Sequence, residues 1–171
     1  MRELTVRIRF TAASLGDVKE AGKSGNFVMP KDPNGRVTFM TSWHSQNMKF
    51  AAKLLGRHQD EVSKIHWDMV VDGIPRRWHR RFYTNGQRTR YVQHECFENG
   101  QVVGINCVVP SKITDDDFWQ LMELAGRYCG LSPYRPRHHG LFEVVSLRER
   151  RALQEGETKE PDELATRPAQ E

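Results

Sequence analysis

Two alternating runs of residues meet at Asn99-Gly100, and this junction constrains the chain more than any other feature in it. Tyr91 to Glu98 and Gln101 to Val109 each change sides residue by residue, the period of a strand with one buried face. Asn-Gly suits a two-residue type I′ turn, whose central positions both need positive φ, so the two runs are expected to pair as a hairpin. That register sets Glu98 opposite Gln101 and Cys96 opposite Val103. Val92, Cys96, Val103, Ile105, Cys107 and Val109 then share a core face, and Tyr91, Gln93, Glu95, Phe97, Val102 and Asn106 the other.

Flanking elements follow from the same logic. Glu3 to Phe10 alternates with Leu4, Val6, Ile8 and Phe10 on one side and predicts a first strand. Residues 11–35 lack periodicity and carry Gly16, Gly22, Gly25, Pro30 and an Asp32-Pro33-Asn34-Gly35 turn, which predicts a long loop. Arg36 to Met40 could add a short strand. Ser42 is expected to cap a helix reaching Leu55, with Met48, Ala51, Ala52 and Leu55 as its apolar stripe and Gly56 as its stop. Residues 65–83 read as an inserted hairpin, Ile65 to Val71 turning at Asp72-Gly73 into a basic arm. Thr114 followed by three aspartates starts a second helix, in which Phe118, Leu121, Met122, Ala125 and Cys129 recur at helical spacing. Leu141 to Leu147 is apolar on nearly both sides and is expected to be a central last strand.

The whole chain of 171 residues has a net charge of +4, but residues 152–171 hold six acids and two bases, which leaves +8 on residues 1–151. The tail, rich in Glu, Pro, Thr and Ala, is expected to be disordered, and residues 1–151 to form a single domain. No apolar run approaches the roughly 18 residues of a membrane span, so a soluble, cytoplasmic protein without membrane contact is expected. Cys96, Cys107 and Cys129 are odd in number and unpaired in spacing, which argues against a disulfide framework or a zinc site. No metal-ligand spacing and no phosphate-binding glycine loop is present, so neither metal nor cofactor is expected.

Strand, helix, strand, hairpin, strand, helix and strand in this order predict an α+β, ferredoxin-like βαββαβ antiparallel sheet with both helices on one face, an inserted basic hairpin and a disordered C-terminal tail. Three segments carry a more specific resemblance. They are the strand end Arg9-Phe10-Thr11-Ala12-Ala13-Ser14-Leu15-Gly16, the stretch Asp32 to Phe39 entering the first helix, and Gly126 to Val145, with Gly126, Gly130 and Gly140 before the last strand. In these the chain resembles the RAMP superfamily of CRISPR-associated RNA-binding proteins. The resemblance implies an RNA-binding subunit of an effector backbone, in which the loop before the final strand contacts RNA.

The residues themselves supply two basic, aromatic clusters. Arg76, Arg77, Arg80, Arg81, Arg88 and Arg90 fall within fifteen residues, interleaved with Trp78, His79, Phe82, Tyr83 and Tyr91. Arg127, Arg135, Arg137, His138 and His139 stand with Tyr128 and Tyr134 before the last strand. Arginine pairs phosphates bidentately and aromatic rings stack on unpaired bases, so the two are expected to form one groove for RNA or another single-stranded nucleic acid. Docking on an acidic protein partner competes with this reading for the first cluster. Since metal-independent RNA-cleaving members of the superfamily often carry a histidine near the first helix, the resemblance raises His44 as an acid–base residue with Lys49 or Lys53 beside the phosphate. Its place on the stripe with Met48, Ala51 and Leu55 favours packing instead, as does the core position of His94.

The sequence therefore predicts a non-enzymatic RNA-binding module, either a subunit polymerising along a guide or a solitary mobile-element copy that interferes with such an assembly. A metal-independent endoribonuclease using His44 is the alternative. A further alternative is a phage virion-assembly or protein-interaction component, forming a homo-oligomer or a protein complex.

Overall fold

The alternation in the first strand fixes the centre of the molecule. The computed structural model describes residues 1–23, 25–85, 88–132 and 138–150, with the backbone alone for 77–85 and 88–91. In chain order its elements are β1 (Arg2–Phe10), β2 (Ser14–Leu15), β3 (Val18–Lys19), β4 (Asn26–Val28), α1 (Thr41–Leu54), α2 (Gln59–Ser63), β5 (His66–Asp72), β6 (Arg77–Asn85), β7 (Arg88–Phe97), β8 (Val102–Val109), α3 (Asp115–Tyr128) and β9 (Phe142–Glu149). An antiparallel sheet runs β5-β8-β1-β9. With α1 and α3 it makes the ferredoxin-like α+β frame that the element order predicts.

Leu4, Val6, Ile8 and Phe10 are all buried, as are Trp43, Met48, Ala51 and Ala52 of α1 and Phe118, Leu121, Met122 and Ala125 of α3. Burying one such large side chain contributes roughly 1.5–3 kcal/mol, and a one-residue slip of β1 would bring Arg7 and Arg9 into this layer, so the register is strongly held. Thr114 Oγ1 accepts a bond from the Asp117 amide at 3.1 Å and Asp117 answers at 3.4 Å, the capping box expected at this helix start. Arg57 adds a 2.7 Å ion pair to Asp117, tying the end of α1 to the start of α3. That guanidinium, then the Thr114 bonds, hold the Asp117 carboxyl below its usual pKa.

Several expectations are corrected. β7 and β8 do not pair: β8 lies against β1 and β5, and β7 belongs to a second sheet. Gly100 has φ 87°, but no residue other than glycine and His138 has positive φ among those described, so the turn lacks the two positive φ values of type I′. Its strands part because Phe10 holds both ends, accepting from Gly100 N at 2.7 Å and donating to Gln101 O at 2.9 Å. Phe97, expected outside, stacks on Phe10 at 5.7 Å between ring centroids and is fully buried. Val92, expected in the core, is only half-buried.

The expected 65–83 hairpin also divides. β5 joins the frame sheet, with its outer edge bonded to residues 37 and 39, while β6 pairs along its length with β7. The insertion therefore lies between the second and third frame strands. Residues 11–35, expected as loop, supply β2 and β4 on the other side of β7, with β3 beyond β4. Arg36 to Met40 contributes isolated bridges, Lys31 to Val37 and Thr38 to Val70, rather than a strand. Helix α1 begins without a side-chain cap at Met40, so Ser42 does not cap it; Leu55 is exposed, and Trp43 and His44 extend the buried face in its place. β9 is an edge strand and not central, because α3 covers its apolar face while Val145 stays exposed. Trp119 of α3 is likewise exposed. Cys96, Cys107 and Cys129 form no disulfide, and no described helix is long and apolar enough to cross a membrane. The expected tail lies outside the described residues.

Candidate nucleic-acid interface

The arginine-rich segment forms a two-stranded ribbon whose register is continuous from Arg77 opposite Cys96 to Asn85 opposite Arg88. Alternation divides it. Arg77, His79, Arg81 and Tyr83 stand opposite Cys96, His94, Val92 and Arg90, whereas Trp78, Arg80 and Phe82 stand opposite Glu95, Gln93 and Tyr91. One parity is thus rich in arginine and the other in aromatic residues. The side chains of Arg77, Trp78, Arg80, Arg81, Tyr83, Arg88 and Arg90 lie outside the described set; Arg76, just before the ribbon, is exposed.

The ribbon is anchored at its foot by His94 and Glu95. His94 is completely buried, its Nδ1 2.6 Å from the Gly16 carbonyl and its ring stacked on Phe27 at 5.0 Å, the structural role expected of it. Glu95 accepts from the Met29 amide at 2.9 Å and lies 3.6 Å from Lys31 Nζ. Sequence reasoning singled out neither Glu95 nor Lys31, because their partners are more than sixty residues apart.

The second cluster is joined to the same anchor. β2 pairs with Cys96 and Phe97 at the foot of the ribbon. From its other side Ser14 Oγ donates to the Leu131 carbonyl, Leu15 N donates to Ser132 Oγ at 3.4 Å, and Gly140 N donates to Ala13 O at 2.9 Å. Arg127, Tyr128 and His138 are exposed and His139 is half-buried; Tyr134, Arg135 and Arg137 lie outside the described residues. The glycines around this loop have packing reasons. Gly126 belongs to α3, and a Cβ on Gly130 would stand 2.6 Å from the carbonyl carbon of Gly140. Gly140 itself needs the positive φ of 75° that it shows.

His44 does not join these groups. It is 2% exposed and stacked on Trp67 at 4.5 Å, while Lys49 and Lys53 point to solvent, so the three do not converge on a phosphate. Burial drives its pKa down to about 3. Below pH 6.5 the unfolded chain takes up a proton here that the folded chain refuses until about pH 3. The contribution of neutral His44 is therefore complete above that window and is lost through it at roughly 1 kcal/mol per pH unit as the pH falls. Urea titrations at pH 7, 5.5 and 4 should show this decline, and His44→Phe should flatten it; an equal decline in both proteins would refute the assignment.

No protein-family model matches the chain, and no curated protein matches its sequence. Among solved structures it is similar to a chain in the cryo-EM structure of the Type III-B Cmr-beta bound to cognate target RNA, with a TM-score of 0.59 at 15% identity. The match covers 86% of this chain and 60% of the other, so this chain spans about three fifths of that neighbour's length. At such identity the likeness is one of fold.

Proposed function

We propose that the protein is a non-enzymatic RNA-binding module of RAMP type, holding single-stranded nucleic acid in a groove formed by the β6–β7 ribbon and the 127–139 segment. The observation that carries this reading is the attachment of both basic segments to one short strand, β2, which fixes the feet of both at one end of the frame. Arg76, Arg77, Arg80, Arg81, Arg88, Arg90, Arg127, Arg135 and Arg137, helped by His138 and His139, would neutralise phosphates, and Trp78, Tyr83 and Tyr134 would stack bases. The fold neighbour belongs to an RNA-bound CRISPR assembly, which supports membership of a related complex as the setting.

The test is to purify the full chain at low salt, measure its absorbance ratio and mass, sequence any nucleic acid bound, and release it with salt. Bound RNA whose affinity falls linearly on a log–log salt plot is the expected result. A nucleic-acid-free oligomer, indifferent to salt, would overturn the reading in favour of a protein partner.

A further inference from the structure

Between the 31–37 turn, the end of β5 and the foot of β7 lies a cleft of about 480 Å³, within the range of small-ligand sites. It faces the root of the ribbon, and no residue assigned above to the groove lines it. Its polar groups are set by bonds made elsewhere. Asp32 accepts from the Asn34 and Arg36 amides at 3.0 and 2.8 Å and from Arg36 Nε at 2.7 Å, which orients the guanidinium while leaving its two terminal nitrogens to offer. Glu95, held by Met29 N and Lys31, keeps further acceptor capacity. Asn106 commits its Oδ1 to Thr5 Oγ1 at 2.8 Å, so the group it offers a ligand is its amide nitrogen. Asp72 adds a second carboxylate, with no side chain on Gly104 opposite it. Ile74, 80% exposed, gives the lip an apolar surface, and its carbonyl is tied to Gln101 Nε2 at 3.1 Å.

We infer that this cleft takes one unstacked nucleotide, its base edge read by Glu95, Asp72 and Asn106 and its phosphate met by Lys31 and Arg36, with guanine preferred; the inference rests on the nucleic-acid reading and deepens it. Guanine presents two adjacent N–H donors for a carboxylate and a carbonyl oxygen for an amide N–H. Uracil has one N–H between two carbonyls and sets oxygen against the carboxylates. Ile74 would cover a face of the base. The same chemistry could come from a nucleotide within a strand or from a free one.

The probes are a labelled ten-nucleotide oligouridylate, the same strand with one central guanosine, and guanosine and uridine 5′-monophosphates, each titrated into the full chain. The guanosine strand should bind about tenfold more tightly. Asp72→Asn and Ile74→Glu should each remove that gain while leaving oligouridylate affinity unchanged; both alter exposed side chains of the cleft, outside the groove and the ribbon's anchor. Equal binding of the two strands overturns the cleft assignment and leaves the groove standing. If neither strand binds, the groove reading fails and the mononucleotides decide: guanosine monophosphate preferred over uridine monophosphate supports the cleft as a free-nucleotide site, and no preference overturns it.

Discussion

Reversing the charge at Arg80 and Arg81 together is expected to weaken RNA binding on the order of a hundredfold at low salt, the largest effect of any surface change in the molecule. The two stand at adjacent positions of β6, opposite Gln93 and Val92, so they belong to different parities of the ribbon. A strand laid along the ribbon would therefore lose contacts on both sides at once. Each phosphate contact on a single strand contributes about 0.7 to the slope of log affinity against log salt, so losing two should lower that slope by about 1.4. The foot of the ribbon, at His94, Glu95 and Phe97, is untouched by these changes, and the urea midpoint should stay where it is. Undiminished affinity with an unchanged slope would show that the ribbon does not carry nucleic acid.

Gly126→Ala is expected to destabilise the fold by about 2 kcal/mol, against the ordinary trend for such a change in a helix. Alanine inside a helix normally gains about 1 kcal/mol over glycine. Here a Cβ would stand 2.2 Å from the Phe142 carbonyl oxygen and 2.6 Å from its ring, the former a backbone atom of β9 that moves only with its strand. That strand is itself fixed to α3 where Val144 N donates to Glu123 Oε1 at 2.7 Å. For a chain of this size the loss corresponds to roughly 6 °C in Tm. A midpoint at or above the parent's would mean that α3 and β9 separate without cost, contrary to the packing described.

Much of the frame is legible because it depends on local chemistry. The capping box at Thr114, the stripe from Phe118 to Ala125 and the alternation from Leu4 to Phe10 are each encoded within a few residues, and each appears as the pattern requires. The Asn99-Gly100 junction shows the limit of such reasoning. Alternation reports that a segment is extended and which residues share a side, but not which strand lies beside it. Phe97 and Val102 flank one tight turn, yet Phe97 packs on Phe10 and Phe39 while Val102 pairs with Arg9 and is exposed. Local turn preference is worth a few tenths to about 1 kcal/mol, and burial of one phenylalanine exceeds it.

The candidate site divides in the same way. The arginines and aromatics declare themselves by density, whereas the cleft does not, since Lys31, Asp72, Glu95 and Asn106 are unremarkable singly and meet only after folding. By itself the sequence determined the two amphipathic helices, the extended runs that become β1, β8 and β9, and the basic character of the ribbon, because periodicity, capping and charge are properties of neighbours along the chain. Only the tertiary structure decided that β7 leaves the frame for a second sheet, that β2 joins both basic segments, and that His44 is sealed against Trp67. Those outcomes depend on which distant surfaces bury the most apolar area together, a quantity no local pattern contains.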